Sequence, residues 1–191
     1  MVKKVLFLDI DGVLQPGSYQ KRFKHIDEMD VLYKELFDKY GIDYSPYFKY
    51  DVAAVYYDWD KESLQELRRI LDTTGAKIVI SSDWRQSKPI ECLRNFFRIY
   101  DMADYVVDYT PDFDYKTYKE IQQSEERYKD IHEWRCIEIL EYLKAHPEIE
   151  KWAAIDDLPL NRYLNNAVLT SSYKLVKVDA DKCIEILGVA D

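Results

Sequence analysis

The sequence predicts an open α/β sheet, doubly wound and mostly parallel, with helices on both faces. Three observations carry that prediction. Three short runs, Val5 to Leu8, Ala76 to Ile80 and Trp152 to Ile155, are apolar apart from Lys77 and do not alternate, as strands buried on both faces do not. Segments of helical periodicity separate them, which implies parallel crossovers. Each run ends in polar residues: Asp9 with Asp11, Ser81 with Ser82, and Asp156 with Asp157. Ligands bind at the carboxyl ends of strands in such sheets.

The elements follow in chain order. Val5 to Leu8 is the first strand. Its run is too short for a signal peptide, and Asp9 and Asp11 interrupt it. A helix is predicted from about Asp30 to Tyr40, with Leu32, Leu36 and Phe37 on one stripe and Gly41 as its stop. The Tyr-rich stretch from Tyr44 to Tyr57 has no clear period. Asp60 is the natural cap of a helix carrying Leu64, Leu67, Ile70 and Leu71, which Gly75 ends. After the strand at Ala76 to Ile80, Ser87 is expected to open a helix with Ile90, Leu93, Phe96 and Phe97. Tyr105 to Val107 reads as a short strand. Residues 111 to 130 are polar and read as an excursion or a surface helix. A helix spans about Glu133 to His146, before Pro147. Beyond the strand at Trp152 to Ile155, the pattern suggests a helix through Leu164, a strand at Leu175 to Val178 and a last helix through Ile184 and Leu187.

The bulk numbers narrow the function. The 191 residues fit a single domain, with room for insertions at about 15–58 and 101–133. No apolar run approaches the roughly 18 residues that span a bilayer, so no membrane role is expected. The three cysteines, Cys92, Cys136 and Cys183, are scattered without metal-ligand spacing, which fits free thiols in the cytoplasm. The three histidines show no metal spacing either. A net charge of −9 disfavours a nucleic-acid strand as partner. It leaves room for a small phosphorylated substrate, because a divalent cation and an arginine reverse the field locally. The basic cluster Lys21 to His25 reads as a solvated loop. Tyr19, Tyr56, Tyr57 and Trp59 either stack on a base or sugar or fill the core.

The chemistry concentrates at the strand ends. Asp9 and Asp11 stand two residues apart where a strand becomes a loop, and extended backbone points them the same way. Like charges so placed are costly unless a cation joins them. Gly12 permits a sharp turn just beyond. Asp156 and Asp157 repeat the pattern, and a hard cation such as Mg²⁺ needs only two or three carboxylates.

Asp9-Ile10-Asp11-Gly12-Val13-Leu14, the strand ending at Ser81, and Ala153-Ala154-Ile155-Asp156-Asp157 occur in the order of three motifs of the haloacid-dehalogenase-like (HAD) hydrolase superfamily. The chain resembles a small phosphatase-like member of it. The run Ser81-Ser82-Asp83-Trp84-Arg85 resembles the subgroup associated with RNA-repair proteins. The resemblance implies that Asp9 attacks phosphorus and that Asp11 serves as general acid and base. It implies that Ser81 binds a phosphoryl oxygen, with Ser82 as its one-residue alternative. It also implies that a lone cation upstream of the last motif neutralises the phosphoryl group. Arg135 is the choice, with Lys144 and Lys151 as alternatives. Asp9, the backbone of Asp11 and the pair Asp156 and Asp157 would hold Mg²⁺, with Asp157 the better direct ligand and Asp156 behind it. Gly12, Ser82 and Arg85 are expected to meet the substrate. The acid at Asp11 favours phosphatase chemistry over dehalogenation or ion pumping. A nucleotide or nucleic-acid end phosphatase and a catalytically idle binding domain are the competing readings. The intact acids argue against the idle one.

Overall fold

The computed structural model describes residues 2–86, 88–131 and 133–190. Five parallel strands form one sheet, in the order β3-β2-β1-β4-β5. They are β1 (Lys4–Leu8), β2 (Lys77–Ile80), β3 (Val106–Tyr109), β4 (Lys151–Asp156) and β5 (Ala167–Leu169). Seven helices connect or follow them: α1 (Met29–Tyr40), α2 (Lys49–Tyr57), α3 (Lys61–Thr74), α4 (Ile90–Arg98), α5 (Tyr115–Ser124), α6 (Trp134–Ala145) and α7 (Lys177–Leu187).

Side-chain alternation along the strands splits the core into two layers. Leu6, Leu8, Ile78, Ile80 and Ile155 pack with Leu36, Val55, Leu67, Phe96 and Leu187, from α1, α2, α3, α4 and α7. Val5, Phe7, Val79 and Ala154 pack with Tyr118, Ile137 and Ile139, from α5 and α6. The three thiols are free and buried. No helix among the described residues is long and apolar enough to cross a membrane.

The local signals explain most boundaries. The Asp60 carboxylate accepts from the Ser63 N–H at 3.0 Å and so caps α3, and Gly75 ends it in the left-handed region at φ 69°. The ambiguous 44–57 stretch contains α2. The 111–130 excursion carries α5, capped by Asp114 accepting from Thr117 N–H. Ser87 lies outside the described residues, and α4 itself begins at Ile90, after Pro89.

Two expectations near the C-terminus are corrected. No α-helix runs through Leu164. Pro159 lacks an N–H and the asparagines beyond it are weak helix formers, so only a 3₁₀ turn at Leu160–Arg162 forms. The predicted strand at Leu175 to Val178 is not one; the fifth strand is Ala167–Leu169. The Leu175 N–H bonds to the Val13 carbonyl at 2.8 Å, in the loop after β1. The Asp179 carboxylate then accepts from Ser171 and Val176 N–H groups and starts α7 at Lys177.

Candidate active site

Register alone brings the acids together. Leu8 pairs with Ile155 across β1 and β4, so Asp9, just past β1, stands beside Asp156, the last residue of β4. The Asp9 N–H still bonds to the Ile155 carbonyl at 3.1 Å. Carboxylate oxygens of Asp9, Asp156 and Asp157 all lie within 4.8 Å of one another. Asp9 and Asp156 are buried and Asp157 is exposed.

Arg135, at the start of α6, ties this cluster together. Its Nη1 donates to Asp9 at 2.8 Å and to Asp156 at 3.1 Å, and its Nη2 donates to Asp83 at 2.9 Å. Asp156 also accepts from the Leu158 N–H at 2.8 Å. The alternatives stand elsewhere: Lys144 pairs with Glu125 and Glu141, and Lys151 is exposed at the amino end of β4.

Gly12 adopts φ 73°, and a Cβ there would meet Asp157 Oδ2 at 2.3 Å. The glycine therefore lets the chain press against the second acid. Asp11 does not share the environment of Asp9. The Asp11 carboxylate accepts from Trp84 Nε1 at 2.9 Å and Gln15 Nε2 at 3.0 Å. It is exposed and its carboxylate is not one of the three that cluster.

The electrostatics are those of a site crowded with negative charge. Burial, and then the Asp156 charge, raise the Asp9 pKa; Arg135 and the Ser82 hydroxyl oppose them. Burial raises Asp156 and Asp157, against Arg135. Burial also raises Asp11, against the Trp84 hydrogen bond and the Arg22 charge. Burial acts to discharge Arg135, but Asp9 and Asp156 outweigh it and hold it protonated. Three converging carboxylates, each above its ordinary range, fit a hard divalent cation in donor type and spacing.

The serines differ. Ser81 is buried, and its hydroxyl has no hydrogen-bond partner among the described residues. The Ser82 oxygen accepts from the Trp84 N–H at 3.5 Å and supports Asp9.

The expected substrate contact of Arg85 is corrected. Its side chain is 2% exposed and pairs with Glu138 at 2.7 Å. It also donates to the carbonyls of Ser82, Thr110 and Pro111. Arg85 fastens the loops after β2 and β3 and does not face the opening. Arg22, in the cluster expected to be solvated, instead donates to the buried Asp58 at 2.8 Å.

Sequence reasoning missed Trp84 and Gln15 as the partners of Asp11. The indole was visible in the Ser-Ser-Asp-Trp-Arg run; Gln15 carried no signal of its own.

A family model described as the HAD domain in Swiss Army Knife RNA repair proteins matches residues 5–185. No curated protein and no solved structure matches the chain.

Proposed function

The chain belongs to the HAD domains of Swiss Army Knife RNA repair proteins, and from that membership and its site we propose that it is an Mg²⁺-dependent phosphomonoester hydrolase acting through Asp9. The observation that carries the reading is Arg135 bridging Asp9 and Asp156 where two strands end together.

Asp9 is the nucleophile. One of its oxygens bonds to phosphorus as the ester oxygen departs, and an aspartyl-phosphate results. Asp11 gives the departing oxygen its proton. It then takes a proton from the water that attacks phosphorus, and the acyl–phosphate bond breaks to return Asp9 and inorganic phosphate. Trp84 and Gln15 hold the two Asp11 oxygens for both transfers. Arg135 balances charge on the phosphoryl oxygens, with Asp83 fixing its outer nitrogen. The Ser81 hydroxyl is a donor for a phosphoryl oxygen, with Ser82 beside it. Asp9, Asp157 and the Asp11 backbone would hold Mg²⁺, Asp156 standing behind them. The ion supplies charge neutralisation for the phosphoryl group.

A second reading, a nucleic-acid end phosphatase, draws on the family's description and on Arg22, whose charge reaches Asp11. The net charge of −9 weighs against a long strand.

The test is phosphate release from an aryl phosphate with Mg²⁺ and with chelator, for wild type and Asp9→Asn. The reading predicts metal-dependent release that falls by about a thousandfold or more in the variant. Equal activity in both proteins would remove Asp9 from the reaction.

A further inference from the structure

Beside Arg135 lies a cavity of about 530 Å³. That is within the roughly 300–1,000 Å³ of small-molecule sites. It opens between the loop after β2, the 112–115 segment and the first turn of α6. Arg135 lines it and also donates to Asp9, so the cavity adjoins the place where a phosphate at Asp9 would sit.

Two properties of the walls define what fits. The first is aromatic. Phe113, Tyr115 and Trp134 line the cavity. Trp134 is 39% exposed and Tyr115 64% exposed, although both are large and apolar. Trp134 is held in place, one face stacked on Tyr118 at 4.2 Å. A fixed, half-open indole is a platform for a flat ring.

The second property is charge. Asp83, Asp112, Asp114, Glu133 and Glu138 border the cavity. The nearby guanidiniums are committed elsewhere: Arg135 to Asp9, Asp156 and Asp83, and Arg85 to Glu138 at 2.7 Å, with Asp112 at only 3.9 Å. A leaving group carrying a second phosphate would enter a field of its own sign, and such repulsion is a strong discriminator.

We propose that this cavity seats the leaving group of the ester, and that this group is a single uncharged, ring-bearing alcohol of nucleoside size with no second phosphate. The proposal rests on the hydrolase reading above and adds its substrate class. It assigns selection to the 112–115 segment and α6, and it disfavours a polynucleotide strand.

The experiment compares three esters with Mg²⁺: a nucleoside 5′-monophosphate, the 3′,5′-bisphosphate of the same nucleoside, and glycerol 3-phosphate. The monophosphate should exceed both others in kcat/KM by about tenfold or more. Trp134→Ala should lower the ratio of kcat/KM for the nucleoside ester to that for glycerol phosphate about tenfold, and Trp134→Phe should restore the ratio. The double variant Asp112→Asn, Glu133→Gln should raise the ratio of kcat/KM for the bisphosphate to that for the monophosphate several-fold. The proposal is overturned if the bisphosphate or a 5′-phosphorylated oligonucleotide is cleaved as well as the monophosphate. It is equally overturned if Trp134→Ala and Trp134→Phe slow every ester alike. A calorimetric titration of Asp9→Asn with the monophosphate separates this from the hydrolase reading. Saturable binding that Trp134→Ala weakens, without turnover in wild type, would keep the cavity assignment and discard the hydrolase. Absence of binding would discard the cavity assignment.

Discussion

Single atoms decide much at this site. A methyl group at Gly12 would lie 2.3 Å from the Asp157 carboxylate, at a φ that side chains avoid. Gly12→Ala should therefore cost about 1–2 kcal/mol in the backbone alone, read as a lower melting temperature. The displaced Asp157 should also raise the Mg²⁺ concentration needed for half-maximal activity. Trp84→Phe keeps a ring but removes the N–H that Asp11 accepts. That hydrogen bond opposes the upward push of burial on Asp11, so its loss should raise the Asp11 pKa further. The acid form would persist to higher pH, and the alkaline fall in kcat should move upward, with kcat reduced about tenfold. A pH–rate profile that does not move would deny Trp84 this role. Among residues, Asp9, Asp156 and Asp157 were legible as neighbours because acids that follow two buried strands gather where those strands run side by side. Trp84 was not, because an indole in a polar run looks like core until its N–H is seen to find a carboxylate.

At the scale of elements, α3 shows how far local chemistry reaches. Burial raises the pKa of its cap, Asp60, but the Ser63 N–H, the Tyr19 hydroxyl and Lys174 outweigh burial, so the folded pKa is lowered. A group depressed in the folded state stabilises it above the unfolded pKa, near 3.8, and loses that contribution as pH falls through the folded value. Asp60→Ala should cost about 1 kcal/mol near neutrality, and the gap from wild type in urea melts should close below about pH 4. A gap that persists in acid would mean the carboxylate charge is irrelevant. The buried strands β1, β2 and β4 were readable because continuous apolar runs are long enough to show. The three-residue β5 was not. Its place was mistaken for Leu175, which is buried in the same core layer but whose N–H bonds to the loop after β1 and not to a strand. Helix α2 was hidden for a related reason: tyrosines with apolar rings and polar tips blur the period that separates helix from loop.

Across the whole molecule, one buried ion pair joins the two halves of the sheet's carboxyl end. Arg85, after β2, meets Glu138 on α6, and both are nearly sealed from water. Arg85→Met would strand Glu138 and three carbonyls, at a cost of about 3–5 kcal/mol in urea unfolding. A loss under about 1 kcal/mol would mean that the pair contributes no more than an exposed salt bridge. The doubly wound architecture and the order of the acidic strand ends were legible from the alternation of elements. The wall of the cavity beside Arg135 was not, because Asp112 and Tyr115 come from a segment without period and Trp134 stands in the first turn of its helix.

The central claim is that Asp9 carries the phosphoryl group. The direct measurement is a rapid acid quench of the enzyme turning over an aryl phosphate with Mg²⁺, followed by peptide mass mapping. The account predicts one added phosphoryl unit on the peptide containing Asp9, and none in Asp9→Asn. Phosphate release with no such adduct at any quench time, or an adduct on another residue, would contradict it.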